Sequence, residues 1–205
     1  MARPKEFDRT TALEAAKAIF WRKGYNATTT EDLRQAMGIG RQSFYDSFVG
    51  KRETFLEVLR RYNDDGVAQC VARAKSARSP LAGLERILFG LVEEQPQRRA
   101  LGCLGVSSIC ELGTDDPDVA AIGAESGKRL EDLLVGLVRD AKSVGEVRAS
   151  VDEHAGALQV NATMLGMKVL AKAGASAATL REVAIATLDG LAARPIERGR
   201  RGRTS

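Results

Sequence analysis

An all-α protein of about nine helices is predicted by three features of the 205-residue sequence. Apolar residues recur at three- and four-residue spacing in most segments, which is the period of an amphipathic helix. Glycine, proline and short polar residues separate these segments, as they do at helix ends. No segment alternates apolar and polar residues over the length of a strand, so no sheet is predicted.

The composition is that of a soluble globular chain with a mildly basic character. Hydrophobic residues make up 44% of the chain and charged residues 28%, and the formal net charge is +4. Basic residues concentrate in the first sixty residues and in the tail after Arg194. No apolar run approaches the ~20 residues that span a bilayer, and no signal-peptide core follows Met1. We therefore expect a cytoplasmic protein with no membrane partner.

The first two predicted helices are delimited by glycines and threonines. The first runs from about residue 9 to 23, with Thr10 or Thr11 as its cap and Gly24 beyond its end. The second begins within 28–31, which reads Thr-Thr-Thr-Glu. A threonine followed three residues later by an acid is a capping-box pattern. Gly38 ends this second helix. The few residues between Gly24 and the start of the second helix predict a short turn between the first two helices.

The third predicted helix has only about two turns, from Arg41 to Phe48. Phe44 and Phe48 are four residues apart and are expected to face the core, while the polar side chains between them remain available. So short a helix is not stable alone and must be held by its neighbours. A helix held in this way can be presented to the major groove of DNA, so 28–55 is interpreted as a helix-turn-helix.

Lys51 and Arg52 are predicted to lie in the first turn of the fourth helix. Cations are unfavourable there because the helix dipole places partial positive charge at this end. A DNA phosphate would resolve the conflict. The alternative is that both side chains are simply solvated.

Residues 28–55 resemble the DNA-binding domain of TetR-family transcriptional regulators, and the resemblance covers roughly residues 8–63. The family pattern is a Thr-led second helix, a Gly-hydrophobic turn, a Tyr followed three residues later by Phe, and a Lys that opens the fourth helix. The matching residues here are Thr29, Thr30, Gly38, Ile39, Tyr45, Phe48 and Lys51.

The resemblance implies a double-stranded DNA operator as the partner. Carried over by position, the phosphate contacts would come from Thr29 or Thr30, Tyr45 and Lys51. The side chains facing base edges would be Arg41, Gln42, Ser43 and Asp46, with Ser47 near the DNA backbone.

Three positions depart from the family pattern. Gly40 replaces the usual Ser or Thr cap of the recognition helix, and Arg34 stands where a small residue is common. Asp46 would repel phosphate, but it could accept a hydrogen bond from cytosine or orient Arg41 or Gln42. These departures affect which operator is read.

The predicted domains are a helix-turn-helix domain over 1–53, a regulatory and dimerisation domain over 54–194, and a disordered basic tail over 195–205. The tail is either a solvated charge run or a DNA contact. The resemblance implies a homodimer formed through the last two long helices, and two-fold dimers suit palindromic half-sites. Ordinary packing within one chain is the alternative.

The regulatory half is poor in aromatic residues, because Phe89 is the only one after residue 63. A pocket there would be built from aliphatic, methionine and cysteine side chains, which favours an aliphatic or small effector over a cationic one held by an aromatic cage. The expected lining is Phe89, Val92, Cys103, Val106, Cys110, Leu134, Met164 and Met167.

Cys70, Cys103 and Cys110 are an odd set without a CxxC spacing. Seven residues of helix would separate Cys103 from Cys110 by about 10 Å, too far for a disulfide, so thiols are expected. Cys103 resembles the Gly-Cys at the start of the sixth helix in some thiol-sensing family members, and a thiolate is favoured near a helix N-terminus. The alternative is that Cys103 and Cys110 are small core residues.

No catalytic or metal site is predicted. His154 is the only histidine, and the chain has no phosphate-binding glycine loop, nucleophile elbow or metal-ligand spacing. No enzyme activity and no cofactor are expected. The sequence therefore predicts a ligand-responsive repressor, and the remaining alternative is an architectural DNA-binding protein without a ligand.

Overall fold

The computed structural model describes residues 7–194, apart from the side chain of Thr114. Ten α-helices occur in this range: α1 (Arg9–Lys23), α2 (Thr30–Met37), α3 (Arg41–Phe48), α4 (Lys51–Lys75), α5 (Pro80–Val92), α6 (Pro96–Arg99), α7 (Leu104–Leu112), α8 (Pro117–Ser143), α9 (Glu153–Lys172) and α10 (Ala177–Leu191), with a 3-10 turn at Gly113–Asp115 between α7 and α8. Only α6 has fewer than eight residues. The extended pairing in the described range is a single bridge between Val147 and Ala192. The all-α prediction is confirmed.

The chain folds into two compact units, and the boundaries between them fall within two long helices, α4 and α8. The first unit holds the described residues up to Gln69 together with Leu101–Arg129, and the second holds Cys70–Ala100 with the described residues from Leu130 onward. Both α4 and α8 therefore contribute to each unit. The boundaries drawn from the sequence after residues 53 and 194 remain predictions, and the predicted basic tail lies outside the described residues.

Aromatic packing forms the core of the first unit. Four large side chains in this core are at most 1% exposed to solvent: Phe20, Leu33, Phe44 and Phe55. The rings of Phe20 and Phe55 meet edge to face with their centroids 5.0 Å apart, a favourable geometry for aromatic pairs. This core holds α3 in place, since an eight-residue helix gains its stability from tertiary contacts.

The core of the second unit is aliphatic. Helices α9 and α10 pack on each other and on α5, and Leu84, Met167 and Leu188 are fully buried among them. The segment after α8 joins the end of α10, because the Arg148 N–H donates to the Leu191 carbonyl at 3.0 Å and the Ala193 N–H to the Glu146 carbonyl at 2.8 Å.

Helix caps follow the sequence signals with one correction. Asp8, and not Thr10 or Thr11, caps α1, where its carboxylate accepts from the Thr11 N–H at 2.9 Å. An aspartate in this position accepts from otherwise unsatisfied amides. The Thr11 hydroxyl and then the amides of Thr11 and Thr10 lower the pKa of Asp8. The two threonines lie in the first turn of α1 and donate hydrogen bonds to Asp8.

Candidate nucleic-acid interface

Helix α2 begins with a reciprocal cap that fixes the first of the predicted phosphate contacts. The Asp32 N–H donates to the Thr29 hydroxyl at 3.0 Å, and the Thr29 N–H donates to the Asp32 carboxylate at 2.9 Å. Lys23, whose ammonium lies 2.6 Å from the carboxylate, and the Thr29 donors lower the pKa of Asp32 to about 2. Thr29 is exposed and Thr30 is half-buried at the start of α2.

Two glycines set the turn between α2 and α3. Gly38 adopts φ 66° and ψ 31°, the left-handed conformation that residues with a Cβ avoid. Gly40 precedes α3 in an extended conformation and provides no side-chain cap, as its sequence indicated. Ile39 between them is buried in the aromatic core, so the turn is anchored although α3 lacks a capping side chain.

Helix α3 exposes one polar face and buries the opposite edge. Phe44 and Phe48 are buried in the core of the first unit, as predicted. The predicted base-reading and phosphate-binding residues on this helix are exposed or half-buried: exposed Arg41, Gln42, Tyr45 and Asp46, and half-buried Ser43 and Ser47.

Asp46 is paired within its own helix. The Gln42 side-chain amide donates to the Asp46 carboxylate at 2.9 Å, which is one of the orientations that the sequence allowed. The amide oxygen of Gln42 then remains as an acceptor, while its amide nitrogen is partly engaged. Asp46 therefore presents Gln42 in a fixed orientation.

The connection from α3 to α4 contains a strained residue. Val49 has φ 62° and ψ −53°, and the Gly50 N–H donates to the Phe48 carbonyl at 2.6 Å across it. This is a three-residue turn that a β-branched side chain disfavours. Val49 is nevertheless 71% exposed, so packing of its side chain does not explain its conformation.

Lys51 is half-buried at the start of α4. Its ammonium lies 4.3 Å from the centre of the Tyr25 ring and donates to the Asn26 carbonyl at 3.4 Å. These contacts hold the predicted phosphate-binding cation beside the turn between α1 and α2. A cation over an aromatic ring keeps its charge and its remaining donors.

Arg52 is neutralised by carboxylates of the same unit. Its guanidinium donates to Asp116 at 2.5 Å and to Asp118 at 2.8 Å. The hydrogen bonds to Asp116 raise the pKa of Arg52, and Arg52 in turn lowers the pKa of Asp116 to about 2. Arg52 is therefore not simply solvated, so that alternative is wrong, while phosphate binding at Arg52 stays a prediction.

Glu111 is a second anchor that the sequence did not reveal. From the last turn of α7 its carboxylate accepts from the Tyr25 N–H at 2.8 Å and from the Asn26 N–H at 2.6 Å. A Cβ on Gly24 would lie 2.6 Å from a Glu111 oxygen, so the glycine makes this approach possible. No local pattern signals the contact, because 85 or more residues separate the partners.

Comparison with known proteins gives the chain a family. Residues 12–58 match the description "Bacterial regulatory proteins, tetR family", and residues 83–187 match "Tetracyclin repressor-like, C-terminal domain". The HTH-type transcriptional regulator YezE of Bacillus subtilis, itself uncharacterised, is 32% identical over 195 residues, which are 92% of this chain and 100% of the relative. The chain belongs to the TetR family.

Two further similarities extend across most of this TetR-family chain. The HTH-type transcriptional repressor ComR of Escherichia coli is 30% identical over 190 residues, covering 91% of this chain and 90% of ComR. A cysteine mutant of the TetR-family regulator CifR, solved with 26-bp double-strand operator DNA, superposes with a TM-score of 0.80 at 26% identity. That match covers 93% of this chain and 100% of CifR.

This TetR-family protein is thus a DNA-binding transcriptional regulator and not an enzyme. The sequence predictions of a TetR-family member, an all-α fold and a DNA-binding transcriptional regulator are confirmed. Within residues 7–194, no helix combines the length and the apolar character needed to cross a membrane. The roles assigned to single residues on α2, α3 and α4 stay predictions.

The residues predicted to line an effector pocket are distributed over both units. Val92, Leu134, Met164 and Met167 lie buried in the core of the second unit, with Phe89 packed against it. Cys103 and Val106 are half-buried and Cys110 is exposed in the first unit. None of the three cysteines forms a disulfide, as expected. That these eight residues share one pocket remains a prediction.

Proposed function

We propose that this TetR-family regulator is a repressor that binds a palindromic operator as a homodimer and is released by a small-molecule or thiol-reactive signal. The observation that carries the proposal is the exposed polar face of α3, held on a buried aromatic core between Thr29 and Lys51. Such a face supplies base-reading groups, and the flanking residues supply phosphate contacts.

The roles on this surface follow from the chemistry of the side chains. Arg41, Gln42 and Ser43 offer donors and acceptors to base edges. Thr29 or Thr30, together with Tyr45, Ser47 and Lys51, would contact phosphate oxygens. Thr30 is the better donor of the two threonines, because the Thr29 hydroxyl already donates to the Asp32 carboxylate at 2.9 Å. Arg52 is excluded from the proposed DNA contacts because two carboxylates already occupy its guanidinium.

An exposed apolar stripe on α9 supports dimerisation. Leu158, Leu165, Val169 and Leu170 are between 39% and 53% exposed, and Ala162 and Gly166 lie exposed between them. Small residues at this spacing let two helices approach closely, and the apolar residues around them lose contact with water when they do. The partner is a second copy of the chain, with α10 completing the interface.

Two release signals are compatible with the second half of the chain. A small aliphatic effector would suit the predominantly aliphatic residues predicted to line the pocket. A thiol-reactive signal would act at Cys103, which is the N-cap residue of α7; α7 also carries Glu111, which holds the α1–α2 turn. Cys103→Ser abolishes release by electrophiles if the thiol is the sensor and leaves it unchanged if the effector binds without covalent chemistry.

The test is a selection of bound fragments from the host genome, followed by titration of the recovered operator. We expect Tyr45→Ala and Lys51→Ala to weaken binding to all sequences, because both remove phosphate contacts. Gln42→Ala should instead lower discrimination at one base position by about 1–3 kcal/mol. Gln69→Ala, an exposed glutamine on α4, serves as the matched control.

The same titrations separate a specific regulator from an architectural DNA-binding protein. A regulator prefers its operator over random DNA by ~10³-fold or more, whereas an architectural protein shows no such ratio at any salt concentration. An unchanged specificity profile in Gln42→Ala would mean that α3 is assigned in the wrong register.

A further inference from the structure

A cleft of about 510 Å³ lies in the second unit, between the end of α4 and the outer face of α5. Its volume is within the range of small-molecule sites in proteins. Three arginines, Arg73, Arg78 and Arg86, line it together with the apolar surface of Ala82 and Phe89. None of these residues except Phe89 belongs to the effector pocket expected from the sequence.

The guanidinium of Arg73 packs against α5 at Gly90, where the absence of a side chain leaves room for it. A Cβ on Gly90 would lie 2.2 Å from its central carbon, and the guanidinium donates to the Gly90 carbonyl at 3.4 Å. The glycine therefore allows Arg73 to lie flat against the helix and face the cleft. This long contact leaves most of its five N–H donors available.

Arg86 lies one turn before Gly90 on the same face of α5. Its guanidinium donates to the Ser76 hydroxyl at 3.1 Å, and that hydroxyl donates to the Arg73 carbonyl at 2.8 Å. Arg73 and Arg86 both line the cleft, and like charges gathered in one cleft repel each other.

The three arginines of the cleft form no ion pair in the described part of the chain, although the cleft contains two carboxylates. Glu85 and Glu93 also line it, yet neither lies within 4.0 Å of a guanidinium nitrogen. The partial negative charge at the C-terminal end of α4 can stabilise the positive charge of Arg73. It does not account for Arg86, which lies in the middle of α5.

These features favour one class of ligand. A carboxylate would accept paired hydrogen bonds from guanidinium groups and relieve the repulsion between them. The apolar surface of Ala82 and Phe89 suits a hydrocarbon body. Glu85 and Glu93 would repel a ligand with two or more negative charges, so a monoanion fits better than a phosphate.

We propose that this cleft is a binding site for organic monocarboxylates with an apolar body, held by Arg73 and Arg86. The site goes beyond the proposed operator function and does not require that its ligand release the DNA. It is therefore tested on the full chain without DNA.

The probe is octanoate, titrated by calorimetry, with octanamide as the neutral isostere and inorganic phosphate as the bare anion. Octanoate should bind saturably, while octanamide and phosphate should bind at least about tenfold more weakly, since a charge-assisted pair contributes more than a neutral hydrogen bond. Arg73→Gln and Arg86→Gln should each weaken octanoate binding about tenfold or more. Gly90→Ala should weaken it without removing a charge, because the new methyl group displaces Arg73.

Arg139→Gln is the matched control, because Arg139 is exposed on α8 and does not line the cleft. It should bind octanoate as the wild type does, and thermal melting of every variant checks its folding. Absence of octanoate binding to the wild-type protein, equal binding of octanamide or phosphate, or unchanged binding in Arg73→Gln and Arg86→Gln would overturn the proposal. Arg73→Gln and Arg86→Gln should still bind the operator, since neither arginine is a proposed DNA contact. Operator titration of these variants therefore distinguishes a failure of the carboxylate site from a failure of the proposed function.

Discussion

Individual side chains on α3 and in the turn after it determine how the recognition surface is presented. Asp46 accepts a hydrogen bond from the side-chain amide of Gln42, which limits the orientations open to that amide in the proposed contact with a base. Val49 adopts a positive φ immediately before the helix that carries Lys51. Strained residues of this kind persist where the surrounding structure imposes them, and they concentrate at functional sites.

We expect Val49→Gly to stabilise the protein by about 1 kcal/mol, since relief of a strain of roughly 1–3 kcal/mol exceeds the entropy cost of glycine. Little buried surface is lost, because Val49 is 71% exposed. Urea denaturation measures the change. Val49→Ala keeps a Cβ at positive φ and should show no comparable gain in stability. If Val49→Gly were less stable than the wild type, the backbone at Val49 would not be strained.

At the scale of elements, the end of α7 and the start of α8 hold the helix-turn-helix within the first unit. Glu111 binds the turn between α1 and α2, and Asp116 binds the first turn of α4 through Arg52. Asp116 also accepts from the Val119 N–H at 3.2 Å at the start of α8. One carboxylate thus caps one helix and fixes the beginning of another.

This double role predicts a pH dependence of stability. The pKa of Asp116 falls from 3.8 to about 2 on folding, chiefly because of Arg52, so its contribution is present above pH 3.8 and is lost as the pH falls through 2. Asp116→Asn should be less stable at neutral pH and lose less stability between pH 4 and 2. The free energy of unfolding, measured by urea titration at each pH, tests this.

Asp65→Asn is the control for this pH series, because Asp65 is exposed on α4 and lies outside the Arg52 ion pairs. It should follow the wild-type profile. An Asp116→Asn protein with an unchanged profile would show that the ion pair with Arg52 contributes nothing to stability.

At the scale of the whole molecule, the proposed operator recognition would use two copies of the chain, because a single α3 can read only a few base pairs. Val169 on α9 is 53% exposed in the single chain and lies in the proposed dimer interface. We expect Val169→Glu to convert a dimer to monomers, because the interface would bury two unpaired carboxylates.

Light scattering coupled to size exclusion measures the mass of this variant, and operator titration should show an affinity loss of tenfold or more. Val144→Glu is the matched control, since Val144 is 62% exposed but follows α8 and lies outside the stripe on α9. A monomeric wild-type protein, or a dimeric Val169→Glu protein, would refute an interface through α9.

Local signals in the sequence determined the helices and the type of protein. Gly24 and Gly38 end the helices that they were expected to end, and Ser79, Asp152 and Ser176 cap the helices that follow them. These features depend on contacts within about four residues, which the sequence displays directly. The motif over 28–55 indicated the family for the same reason.

Only the tertiary structure decided the partners of the charged side chains. Arg52 meets Asp116 across 64 positions, and Glu111 meets the Tyr25 amide across 86. The cleft with Arg73 and Arg86 likewise depends on how α4 and α5 lie against each other. Local sequence fixes helix boundaries because their hydrogen bonds are short-range, whereas an ion pair depends on the path of the whole chain between its partners.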